Sequence, residues 1–93
     1  MKVKLKESKT FSLVSKDSNK IHLNKHFASK YFVKEPIVHG VNLVIIALSE
    51  FLKKQKHEII ITSVSINFKN FININEKFSI KIYKNKIIIY NEF

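Results

Sequence analysis

The stretch GVNLVIIALSEFLKK, Gly40 to Lys54, restricts this chain more than any other. Val41, Val44, Ile45, Leu48, Phe51 and Leu52 recur at helical spacing, while Leu43, Ile46 and Ala47 fill much of the remaining circumference. A helix apolar on nearly all sides has to be buried, so in a chain of 93 residues something must wrap around it. Only Asn42 and Ser49, seven positions apart and so nearly on one side, give it a polar line. The single proline and the single glycine both lie just before it, in PIVHG, Pro36 to Gly40. No linker, repeat or low-complexity tract divides the chain, which reads as one domain over 1–93.

The wrapping layer is expected from the second half. HEIIITSVSINF, FSIKIY and KIIIYNEF are rich in β-branched and aromatic residues, with period-two alternation such as Phe78, Ile80, Ile82. Turn residues at Lys84-Asn85 and from Asn73 to Glu76 predict an antiparallel meander of strands Glu58–Phe68, Lys77–Tyr83 and Lys86–Tyr90. Asn24 caps a short helix reaching about Lys30. Residues 1–16 are ambiguous: Val3 and Leu5 alternate like a strand, and Thr10 to Ser15 suit one or two helical turns. A long helix held by an antiparallel sheet is an α+β layout, the architecture of the hotdog fold.

Composition removes several classes of function. With no cysteine there is neither a disulfide framework nor a thiolate metal site. The start, MKVKLKESK, has no apolar stretch behind its charges and is no secretory signal. The longest nearly uncharged run, Pro36 to Ser49, falls short of the ~20 residues of a membrane span, so a cytoplasmic protein is expected. The net charge of +10 suggests nucleic acid. Yet every basic residue is lysine, not the arginine that reads bases and phosphates bidentately. Lysine also arrives with abundant Asn, Ile and Phe, as an A/T-rich coding bias would produce, so no nucleic-acid partner is assigned. The positive field suits an anionic ligand such as a phosphorylated cofactor or an acidic carrier protein.

Polar chemistry concentrates in DSNKIH, Asp17 to His22, which on its own reads as a solvated turn before a helix cap. Its context changes that. FSLVSKDSNKIHLNKHFASKYFVKEPIVHG resembles the MaoC-like dehydratases, or (R)-specific enoyl-CoA hydratases, whose signature runs F-A-x-L-S-G-D-x-N-P-x-H and, after a short helix, G-R-x-x-H-G-M before a long apolar helix. Phe11, Ser15, Asp17, Asn19, His22, Ala28 and His39-Gly40 fall in register. Downstream, SINFKNFININEKF is similar to the family's F-x-x-P-V-x-x-G-D, keeping Phe68 and Glu76 but not the proline or glycine. Lys16 replaces a family glycine, Lys20 a proline, and Leu48, with Ser49 beside it, a site-lining serine. The chain also lacks the family's long strand before the signature and at least one strand at the end.

The resemblance implies a hotdog domain that reversibly adds water to a trans-2-enoyl thioester of coenzyme A or acyl carrier protein, without a further cofactor. Asp17 and His22 would be its acid/base pair sharing one water, and the Gly40 N–H, at a helix start, would hold the thioester oxygen. Asn19, Asn42 and Ser49 would contribute to substrate binding. His39 has no proton-transfer role in that scheme and is expected to be structural, orienting the loop or packing at the helix start. A zinc pair from His22 and His26 has no third ligand at recognisable spacing, so no metal is assigned. Hotdog domains pair, and a chain this short buries only ~60–65% of its unfolded surface, so a homodimer is expected. A non-catalytic acyl-binding module and a thioesterase on the same fold are the competing expectations.

Overall fold

The computed structural model describes residues 1–31 and 34–92. Three α-helices precede a two-stranded antiparallel sheet: α1 Leu5–Ser15, α2 Lys25–Ser29, α3 Gly40–Lys53, β1 Phe78–Tyr83 and β2 Lys86–Asn91. A 3₁₀ turn, Lys20–His22, links α1 to α2. The layout is α+β, and the hairpin lies where alternation and turn chemistry put it. Its register runs from Phe78 opposite Asn91 to Tyr83 opposite Lys86, closing a two-residue loop at Lys84-Asn85. The predicted cap is also present: the Asn24 side chain accepts the Phe27 N–H, 2.9 Å away.

The core is small. Val3, Val38, Leu43, Ile72, Ile74 and Phe78 are buried together, with Leu5, Ile46, Ile80 and Ile89 packed against them. Two backbone alignments assemble it. Residues 36–38 run antiparallel to 72–74, with Val38 N–H donating to Ile72 O and Ile74 N–H to Pro36 O, both at 2.8 Å. The chain start lies along the entry to β1, where Asn75 N–H donates to Val3 O and Phe78 N–H to Met1 O.

The wrapped-helix expectation is corrected in two respects. Glu58–Phe68 forms no strand: it has no regular secondary structure, is exposed, and has no ladder partner among the described residues. Period-two alternation reports a chain suited to a pleated surface, but a strand needs a neighbouring edge, and the two-stranded hairpin supplies none to this segment. Consequently α3 is covered on one side only. It buries Leu43 and Ala47, while Val41, Ile45 and Leu52 stand 63%, 50% and 46% exposed along the opposite stripe. The ambiguity over residues 1–16 resolves into a helix, whose inward face carries Ser8 and Ser12 while Leu13 and Val14 point to solvent.

Two of the positions where the family motifs carry glycine have a left-handed backbone. Lys16, ending α1, has φ 62°, and Asn75, one before Glu76, has φ 64°. The turns that glycine favours therefore persist although the glycines are gone, and each non-glycine residue bears strain there. Lys16→Gly is expected to raise stability by about 1 kcal/mol, read as a higher urea midpoint at unchanged slope. A fall in midpoint would show that the lysine side chain stabilises the turn by contacts outweighing its backbone strain.

Candidate functional site

Local hydrogen bonds build the loop between α1 and α2. The Asp17 side chain accepts the Asn19 N–H, and the Asn19 side chain accepts the Ile21 N–H at 3.0 Å, so two short polar turns lead into the 3₁₀ turn. Lys20 is the first residue of that turn, the position that tolerates proline because no intrahelical donor is lost there. Ile37 N–H donates to Ile21 O at 2.9 Å, which ties the loop to the segment leading into α3.

That tie sets the chemistry of His22. Its Nδ1 lies 2.7 Å from Ile37 O. A carbonyl can only accept, so Nδ1 carries the proton, and in the neutral ring Nε2 keeps its lone pair. Nε2 faces Asp17, with Oδ2 3.9 Å away. The gap is too long for a direct hydrogen bond and fits one water, whose two legs of about 2.8 Å would meet at roughly a right angle. The His22 side chain is 16% exposed and the Asp17 carboxylate 52%, so solvent reaches the pair from the Asp17 side.

His39 completes the cluster. It is 1% exposed, and its ring stacks on His22 with centroids 4.0 Å apart and planes 24° from parallel. Ligating atoms of Asp17, His22 and His39 lie within 4.8 Å of one another, the spacing of a metal site. Stacking argues against that use, because imidazole lone pairs lie in the ring plane and those of near-parallel rings do not converge on one ion. His26 sits outside the cluster, on exposed α2.

Gly40 opens α3, where the first N–H groups lack intrahelical acceptors. With His22, Val38, Leu43, Phe68 and Phe71 it lines a cavity of about 280 Å³. The space that glycine leaves is filled from within the chain, because a Cβ at Gly40 would come within 3.1 Å of the Phe68 ring. His22 thus faces Asp17 on one side and shares the cavity lining with Gly40. Asn19 serves as a turn cap, and Asn42 and Ser49 lie outside the cavity lining. Glu76 is taken up structurally: its carboxylate accepts the Asn73 N–H at 2.9 Å and an Asn91 side-chain N–H at 2.6 Å. The stack of the His39 ring on His22 is the part of the site that spacing does not reveal.

The site thus combines a helix start, a carboxylate and an imidazole 3.9 Å apart, and a cavity that the imidazole also lines. The chain belongs to the MaoC like domain family, whose profile it matches over residues 1–92. Membership implies the hotdog fold, of which the described residues retain the helix and a two-stranded part of the sheet. No curated protein and no solved structure matches the chain significantly. No helix among the described residues is long and apolar enough to cross a membrane.

Proposed function

We propose that this protein catalyses the reversible hydration of a trans-2-enoyl thioester, carried on coenzyme A or acyl carrier protein, to the 3-hydroxyacyl thioester. The observation carrying this reading is the His22 tautomer, which leaves an Nε2 lone pair aimed at Asp17 across a one-water gap. A water held there donates one hydrogen to the carboxylate and the other to Nε2. As its oxygen bonds to C3 of the enoyl group, His22 takes the proton, and the double-bond electrons move to the thioester oxygen. The Gly40 N–H holds that oxygen as its charge develops. His22 then returns the proton to C2, which adds both parts of water to one face and restores the neutral ring.

A homodimer belongs to this reading. Ile60 is 88% exposed, Ile66 52% and Phe68 60%, and with the bare stripe of α3 they are apolar side chains that a partner would cover. A second copy would give 58–68 the strand partner it lacks among the described residues.

One observation favours a second reading, a non-catalytic acyl-binding module: the Phe68 ring already packs on Gly40. Purified protein with crotonyl-CoA separates the two. Loss of the conjugated-thioester absorbance without release of thiol is expected for the hydratase. Saturable binding with no absorbance change would favour the module, and free thiol would favour a thioesterase.

A further inference from the structure

Among the described residues, His39 is the one buried titratable side chain that this chemistry leaves unused, and it touches both reacting partners. Its Nε2–H donates to the Asp17 backbone carbonyl at 3.1 Å, and the Ser12 hydroxyl donates to the same oxygen at 2.6 Å. Its ring lies flat against His22, and Phe11 abuts its ring with centroids 4.8 Å apart. His39 is also the residue immediately before Gly40, at the N-cap of α3. We propose that His39 is a positioning residue, fixing the Asp17 loop, the plane of the His22 ring and the start of α3 in one arrangement.

The physical need is clear from what each partner lacks. Asp17 is on an exposed loop, and its side-chain bond to Asn19 N–H, at 3.3 Å, holds the carboxylate only to its own turn. The two donors on its carbonyl anchor that turn to α1 and to the entry of α3. His22 is held at one point by Ile37 O, and a single hydrogen bond leaves the ring free to tilt about that contact. A stacked ring 4.0 Å away removes this freedom and directs Nε2 at the water position. An acid/base pair works only in a near-attack geometry, where a misplacement of about 1 Å costs on the order of 100-fold in rate.

This assignment rests on the hydratase reading, and its test has one arm that does not. His39→Phe keeps a flat ring and loses the donor, whereas His39→Gln keeps an N–H donor and loses the ring. Each is expected to lower kcat on crotonyl-CoA by about 10- to 100-fold per folded molecule, with KM held within about twofold. Ser12→Ala, which removes the second donor alone, is expected to lose about 2- to 10-fold. A merely structural role would instead reduce activity only in proportion to the folded fraction.

The independent arm is long-range proton–nitrogen NMR of the His22 ring. Wild type is expected to show a single tautomer protonated at Nδ1, and His39→Gln a mixed or exchange-broadened one. An unchanged His22 signal in His39→Gln overturns the positioning role whether or not the protein turns over thioesters. An inactive wild type with the expected NMR change overturns the hydratase reading alone. Should both His39 variants fail to fold, Ser12→Ala decides through its kcat, because it frees the same Asp17 carbonyl that His39 holds, and a wild-type kcat there overturns the anchoring of the Asp17 loop.

Discussion

His22→Ala is expected to lower kcat for enoyl thioester hydration by about 10²–10⁴-fold, the range that a positioned acid/base group contributes. The variant should stay folded. The His22 ring sits at the rim of the core, bonded to Ile37 O and stacked on His39, while the apolar cluster around Phe78 does not include it. KM should change less than kcat, because Val38, Leu43, Phe68 and Phe71 still line the cavity when the ring is gone. Asp17→Asn should show a loss of the same order for a different reason. Its side-chain oxygen can still accept the Asn19 N–H, so the turn survives. An amide N–H pointing at the water would, however, oppose the hydrogen that the carboxylate accepts. Steady-state kinetics beside a melting curve checks both variants. Wild-type kcat in either would remove that residue from the chemistry.

Phe78→Ala is expected to have the largest effect on stability, about 3–5 kcal/mol. Phe78 is 1% exposed and heads the core cluster. It also lies at the junction of three segments: its N–H donates to Met1 O, its carbonyl accepts from the Met1 ammonium at 2.9 Å, and its strand pairs with Asn91. A domain of this length has a total stability of about 5–14 kcal/mol, so the variant would stand near its unfolding threshold. A melting temperature lower by some 15–30 °C would be the thermal signature. A shift of only a few degrees would mean that the cavity collapses or that the core is centred elsewhere.

The loop and the hairpin were legible because their signals are local. Asn24 announces a cap, Lys84-Asn85 a tight turn, and Asp17 with His22 a motif whose spacing survives folding. The segment 58–68 was misread because alternation shows what a strand is made of, not whether an edge awaits it. The helix α1 was hidden for the opposite reason: it buries Ser8 and Ser12 and exposes Leu13 and Val14, so apolar periodicity points the wrong way. The turn predicted from Asn73 to Glu76 says nothing of Ile72 and Ile74 as core residues, yet they pair with 36–38 and are buried in the core cluster. Lys16 and Asn75 explain why the motif outlasts the loss of its glycines, since a left-handed φ is costly for other residues without being forbidden to them. The stack of His39 on His22 is a tertiary contact between residues seventeen apart, beyond the reach of any spacing rule.

The central claim is that water held between Asp17 and His22 adds across a carbon–carbon double bond. Crotonyl-CoA turned over in oxygen-18 water, with the products examined by mass spectrometry, tests it most directly. The account predicts label in the C3 hydroxyl of an intact thioester for wild type, and its near absence when Asp17→Asn and His22→Ala are combined. Label in a free carboxylate, or C3 labelling at the wild-type rate in the double variant, would contradict it.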